Sequence, residues 1–576
     1  MNTKIKFPRK RAQYDHNTAF FSSDVCYDSS MNITAKKNNY SYIDAASLQA
    51  MLDDQNEIAL LDIREAAPFA EGHLWLATNI PLSCIEFRIR RFVPRSRTRL
   101  VLCDDNDGLA ERAAVVLNKM GYDNIQILVS GVSAWVDAGN SLVSGNYVIA
   151  HSFGYFIEEH FQTPVITAEE LMAKQQAGED IVLVDTRAES DYIANSITNS
   201  ISVPAAEVAR RIPDLAPDPK TQVVVHCAGV TRAALGVQGL LNADITNPVY
   251  SLREGTRGWV LAGGTLSPNQ PVEHSNRSSS AKEFSRAAMN KIAQRFKLSY
   301  INHDDLSRWR DENPDRTCYL VDVRTEQEYL AEHYPGTIWV PGGELAGMTI
   351  DHLATQGARL ALFADTDCAR AELTASWMKQ QNWNDVVIVN DWKNAQPLAS
   401  GPEPDYYPEL EQLNVSSIST MELSNPLLQG NTMIIDFSPS ETYRKAHIPG
   451  AVWATRSQLP GNLNIPQDSE RIVVTSVNGR LARLAASDLM QYTNASVHTL
   501  EGGNNAWIAA GLVTETGLTN LLGEVNDEDP EFLKTPGMDE DAIQAMFRRN
   551  MAWRAGLYPK FKKDQPVQFT VPPQLE

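Results

Sequence analysis

The chain has little cysteine, no long apolar run and no excess of positive charge. Six cysteines stand among 576 residues, at positions 26, 84, 103, 227, 318 and 368, without paired or metal-ligand spacing. That scatter argues against a disulfide framework and against a cysteine-based metal site. It suits reduced thiols in the cytoplasm, and no metal or cofactor is expected. No stretch approaches the roughly 18 apolar residues that span a bilayer, so no membrane partner is expected. A net charge of -20 leaves no basic face for phosphates, which excludes a nucleic-acid partner. The same balance means that an anionic substrate has to be captured by a local field, because the global field repels it. The first dozen residues are basic, but Phe20 and Phe21 are too little for a signal-peptide core. Residues 1–39 read as a mobile leader, with Met1 and Met31 both open as the start.

What remains is an ordinary globular composition, 43% hydrophobic and 21% charged, in a chain too long for one core. Self-similarity decides how it divides. A strand ending in Asp-x-Arg occurs as LLDIR (60–64), LVDTR (183–187) and LVDVR (320–324), with a degenerate IIDFS at 434–438. About forty residues after each aspartate comes a strand-to-helix corner, occupied in turn by Asp104, Cys227, Asp365 and Ser476. Further on, Gly-x-x-x-Trp appears at 131–135, 255–259 and 503–507, and the third unit has only Trp392 near that place. The fold class is therefore α/β: four tandem modules, each a mostly parallel sheet flanked by helices on both faces. The boundaries read as 40–145, 146–267, 282–396 and 410–515, with a C-terminal helical tail over 516–576. The polar stretch 268–281 and the proline-rich stretch 397–409 read as exposed connectors. Residues 146–164 are aromatic enough to pack as a covering segment. An amphipathic helix is expected over 281–296 and another over 539–555, with an extended end from Lys560.

Residues 222–241, QVVVHCAGVTRAALGVQGLL, hold the chemistry. Val223, Val224 and Val225 are strand-like, and beyond Arg232 apolar residues recur at helical spacing. Cys227 sits at the corner, with Ala228, Gly229, Val230, Thr231 and Arg232 forming the turn. Such a corner aims backbone N–H groups and the positive end of a helix dipole at one point, which holds an anion and favours a thiolate. Gly236 and Gly239, poor helix formers, mark close approach of this helix to a sheet. His226 alternates with Cys227 and is expected to face away as a core residue. Asp185 is expected to fix its own turn through backbone hydrogen bonds. Thr231 is a candidate N-cap.

These landmarks resemble the rhodanese family of sulfurtransferases, and the resemblance covers about residues 40–515 as four rhodanese-like modules. It rests on Cys227-Ala-Gly-Val-Thr-Arg232, Asp185-Thr-Arg187, Gly255-Thr-Arg-Gly-Trp259 and Asn247-Pro-Val249. Bacterial proteins with four such modules, of which only the second keeps its cysteine, are the nearest likeness. One departure is Asn195-Ser196-Ile197 where the family has Gly-His-Ile; that histidine is taken as structural. The resemblance implies double displacement. Thiolate Cys227 attacks the outer sulfur of thiosulfate or a similar donor, and a persulfide forms. Cyanide, a small thiol or a docked protein acceptor then removes the sulfur. Four residues between Cys227 and Arg232 are the sulfurtransferase loop length; related phosphatases have one more. Loop amides from Ala228 to Arg232 would stabilise the persulfide, and Arg232 would bind the donor. Arg187 either orients the donor or pairs with a carboxylate, and Arg257 is a further candidate at the loop. At the other corners a carboxylate is expected to fill the anion site from within, leaving those modules as scaffolding or docking surfaces. Cys103 and Cys368 read as incidental thiols. The whole reading needs a thiol that donors can reach and amides that face it.

Overall fold

A computed structural model describes residues 39–272, 277–365, 367, 369–425, 432–459, 470–528 and 538–572. The leader, Cys26 and Cys368 lie outside these residues. Four sheets repeat one strand order. In the second module the strands run Val165–Ile166, Val249–Leu252, Gln222–His226, Ile181–Asp185 and Ile201–Ser202 across the sheet, all parallel. Val225 pairs with Val184 and His226 with Asp185, so the Asp-x-Arg turn and the cysteine corner leave the sheet side by side. The other three sheets keep that order with their own strands.

Local sequence explains the repetition. After each first strand, a short polar side chain caps the first helix: Asp44, Thr167, Asn302 and Ser419 each accept from the backbone N–H three residues on. The central strands are buried on both faces, as their Val, Ile and Leu content requires. Each Gly-x-x-x-Trp glycine has a left-handed φ (60° at Gly131, 51° at Gly255, 62° at Gly503), and a Cβ there would strike the corner residue's carbonyl. The next residue's N–H donates to that carbonyl, as Thr256 does to Cys227 at 2.8 Å. These glycines therefore brace the corners.

In the first three modules the Asp-x-Arg arginine folds back on its own aspartate. Arg64, Arg187 and Arg324 place Nη2 2.6, 2.7 and 2.7 Å from Asp62, Asp185 and Asp322. The fourth module lacks the arginine, and Asn504 Nδ2 donates to Asp436 there at 2.7 Å. The family histidine is structural where present: His73, His333 and His447 bond the carbonyl four residues back and stack on Phe69, Tyr329 and Tyr443. In the second module Ser196 donates to Asp185 at 2.6 Å instead.

Several expectations change. The helix Glu540–Asp564 runs through Pro559, so the end from Lys560 is helical as far as Asp564. Its buried stripe of Leu557, Tyr558 and Phe561 packs with Trp75, Val148 and Ile149, and that burial outweighs the proline. The 397–409 connector is partly structural: Ala399 bridges to His333, and Tyr407 packs edge-on against Phe87. The first module's sheet also borrows Thr355–Gln356 from the third, antiparallel to Ile58–Asp62.

The modules pair through one recurring turn. Ala205–Glu207 of the second meets Gly342–Gly347 of the third, and Leu82–Cys84 of the first meets Arg456–Gln458 of the fourth. Helix Thr231–Asn242 is consequently enclosed by its own sheet, by helix Val148–Phe161 and by the third module. Gly236 does face the sheet at Val225, but Gly239 faces Leu373 and Trp377 of the third module.

Candidate active site

Strand Gln222–His226 ends one residue before Cys227, and helix Thr231–Asn242 begins four residues after it. Gly229 N donates to Cys227 Sγ at 3.3 Å, so the turn does face an amide to the sulfur. Ala228 is half-buried and Val230 lies in the core. Val230, rather than Thr231, is the N-cap residue. Thr231 is already helical, and its Oγ1 donates to Ala150 O at 3.2 Å, because helix Val148–Phe161 presses against it. His226 is fully buried with Nδ1 4.0 Å from Asp185 Oδ2, and burial pushes its imidazole below the usual range. It is a core residue, as its alternation with Cys227 indicates. Asp185 Oδ1 accepts from Arg187 N at 3.0 Å, the turn-fixing role expected of it.

Of the two arginines named for the donor, one takes the carboxylate pairing left open for it and the other is held by a carboxylate of the third module. Arg187 is spent on Asp185 and the Asn195 carbonyl, as its counterparts are in modules without cysteine, so it is a structural residue. Arg232 is held by Glu344 of the third module, with Asp191 at 3.9 Å. Burial would lower its pKa, but the neighbouring Glu344 and Cys227 raise it. The arrangement is reciprocal. Arg370, five residues after Asp365 as Arg232 is after Cys227, lies 3.1 Å from Glu207 of the second module.

The thiol is also more enclosed than expected, since Cys227 is only 3% exposed. Arg257 does approach the loop, and Arg554 arrives from the C-terminal helix. A Cβ built on Gly229 would lie 2.0 Å from Arg554 Nη1 and 3.7 Å from Arg257 Nη1. Burial and the adjacent Arg554 push Arg257 down to about 10. Glu254 lies 2.8 Å from Arg554 and accepts from Tyr155 OH at 3.1 Å. His151 reaches Thr231 Oγ1 at 3.3 Å; burial and then Arg554, Arg257 and Arg232 hold its imidazole well below the usual range, so it is neutral near pH 7. Among the described residues, no three His, Cys, Asp or Glu side chains converge to hold a metal. No helix of the described residues is long and apolar enough to cross a membrane.

Sequence reasoning missed His151, Glu254, Glu344 and Arg554. One signal was readable: Phe547, Asn550, Arg554, Leu557 and Phe561 form one buried stripe, and two of the five are polar.

The cysteine-less corners of the first and fourth modules are filled from within. Asp104 accepts from Asn106 N at 2.9 Å and Ala110 N at 3.0 Å, and Ser476 Oγ accepts from Ala482 N at 3.2 Å. Asp365 instead meets Arg210 at 3.1 Å and Arg370 at 3.2 Å.

A sequence model described as "Rhodanese-like domain" matches residues 44–138, 167–262 and 419–510. A solved structure, thiosulfate sulfurtransferase from Pseudomonas aeruginosa, superposes with a TM-score of 0.86 at 37% identity, covering 92% of this chain and 100% of that one. A protein named sulfurtransferase from Allochromatium vinosum is 29% identical over 102 residues, 18% of this chain and 94% of its own length. An HTH-type transcriptional regulator of Mycobacterium tuberculosis is 33% identical over 109 residues, 19% of this chain; the match spans only 47% of that regulator. With its fold repeated in all four modules and the full length of the Pseudomonas chain matched, this chain belongs to the rhodanese family.

Proposed function

We propose that the protein is a cytoplasmic sulfurtransferase that moves sulfane sulfur from thiosulfate, or a similar donor, to a small thiophilic acceptor through a Cys227 persulfide. The observation that carries this reading is the Gly229 N–H donated to Cys227 Sγ at 3.3 Å, at a helix N-terminus flanked by Arg257 and Arg554. In the first half-reaction the Cys227 thiolate attacks the outer sulfur of thiosulfate. The sulfur–sulfur bond breaks, and sulfite leaves with the electron pair. In the second, cyanide or a small thiol attacks the outer persulfide sulfur and returns the thiolate. The loop amide and the guanidinium groups stabilise the anion in both steps without moving, which is what a preorganised site requires. Four described cysteines (84, 103, 227 and 318) are free, which suits a reducing compartment.

Delivery to a docked protein is the weaker alternative, because a thiol 3% exposed offers a partner's cysteine little access. Intact-mass analysis after incubation with thiosulfate tests the site. Wild type is expected to gain one sulfur atom and Cys227→Ser none; full turnover by Cys227→Ser would overturn the assignment. Rapid steady-state turnover with cyanide supports the enzyme. A stable persulfide that small acceptors discharge only slowly supports the carrier.

A further inference from the structure

Arg554 lies outside the four repeats, on the helix Glu540–Asp564, yet its guanidinium rests against the cysteine loop. Its side chain is 1% exposed; Nη2 lies 2.8 Å from Glu254 Oε2, while Nε and Nη1 have no hydrogen-bond acceptor among the described residues. A buried cation with unused donors is costly unless a further anion completes its shell. It is held in position by contacts beside it and at the C-terminal end of the helix. Trp553 Nε1 donates to Ser144 O at 3.0 Å, and Trp75 Nε1 donates to Asp564 at 3.0 Å. Gly229 is what lets the guanidinium in, because any Cβ there would collide with Nη1. Arg232 is meanwhile occupied by Glu344, so the residue that the loop motif nominates for the donor is already neutralised.

We propose that Arg554, carried in by the C-terminal helix, is the donor-binding cation of the Cys227 site. Its free N–H groups take the oxygens of a sulfur oxyanion dianion, the –SO3 end of thiosulfate, and hold its outer sulfur toward Cys227. This rests on the Cys227 persulfide reading. The same helix lies against the loop at Gly229, so one element both selects a small anionic donor and narrows the room for bulky ones.

Two measurements on the full chain test it. For Arg554→Met, kcat/KM for thiosulfate is expected to fall about ten- to a hundredfold, the range for losing a charged hydrogen bond. Arg554→Lys is expected to recover part of that loss. Independently of sulfur transfer, Cys227 is alkylated with iodoacetate and with iodoacetamide, and the rates are read by mass. Both reagents meet the same steric barrier, so their ratio reports anion recognition alone. Arg554→Met is expected to lower the iodoacetate-to-iodoacetamide ratio about tenfold, and Arg554→Lys to keep it near wild type. If both rates rise together with an unchanged ratio, Arg554 is only a plug and the inference fails. An unchanged kcat/KM in a variant that melts like wild type also overturns it. Those failures leave the persulfide reading standing, since wild type would still load one sulfur atom and Cys227→Ser would not. Should Arg554→Met fold poorly, the lysine variant and the ratio in Gly229→Ala, which displaces the guanidinium by a single methyl, decide the matter.

Discussion

Glu344→Gln tests a carboxylate that the third module sets against Arg232 of the cysteine loop. In the native protein Glu344 pairs with Arg232, and the two side chains are 10% and 18% exposed. Breaking a fully buried pair costs about 3–5 kcal/mol. Here the glutamine still accepts one hydrogen bond, and Asp191 stays 3.9 Å from Arg232, so the loss is about 2 kcal/mol. The effect on the donor has the opposite sign. A negative charge about 8 Å from an anion, at an effective dielectric of about 40, opposes it by about 1 kcal/mol per unit charge. Removing that charge also leaves the Arg232 guanidinium opposed, among the described residues, only by Asp191 at 3.9 Å. Glu344→Gln is therefore expected to unfold at lower temperature or urea concentration, and to raise kcat/KM for thiosulfate about fivefold or more. The pairing of modules supplies its own control. Glu207 holds Arg370 at 3.1 Å in the same way, on the side of the cysteine-less corner. Glu207→Gln is expected to cost stability and leave kcat/KM alone. Equal effects of the two substitutions on kcat/KM, or a fall with Glu344→Gln, would refute the reasoning.

Gly229→Ala should lower stability by about 1–3 kcal/mol, because the displaced Arg554 is 1% exposed and leaves Glu254 buried without its partner; chemical denaturation reads it. Asp104→Cys should form no persulfide at residue 104, as mass analysis will show, because Asp105 and Asp107 stand in that turn and repel an anionic donor. Glu65 is 4% exposed, and burial pushes its carboxyl up to about 7. Its folded pKa lies above its unfolded one, so the stability linked to its proton is present below the ordinary carboxylate pKa and lost as pH rises toward 7. Glu65→Gln should thus raise the melting temperature at pH 8, by up to about 3 kcal/mol of stability, and change little at pH 4.

The repeat was legible because each landmark encodes a local requirement. An aspartate and arginine two residues apart close their own turn, as Asp185 and Arg187 do. A glycine with left-handed φ braces the corner carbonyl, as Gly255 does at Cys227. These need no knowledge of the other modules. The carboxylate at Asp104 filling its own turn was foreseeable for the same reason, since its amide partners lie two and six residues away. Thr231 and Lys560 went the other way, because helices packed from elsewhere in the chain overrode the local signal of cap and proline.

By itself, then, the sequence determined the α/β repeat, the single cysteine corner and the amide that faces its sulfur, all set by contacts short in sequence or by strand register. Only the tertiary structure decided which charges surround that sulfur. Glu344 meets Arg232 across 112 residues, and Arg554 comes from far beyond the last repeat. Ion pairs of that kind follow from how modules and helices pack, and periodicity does not record it. A guanidinium reads identically in sequence whether it faces a carboxylate, a donor or water; burial and its neighbours assign it.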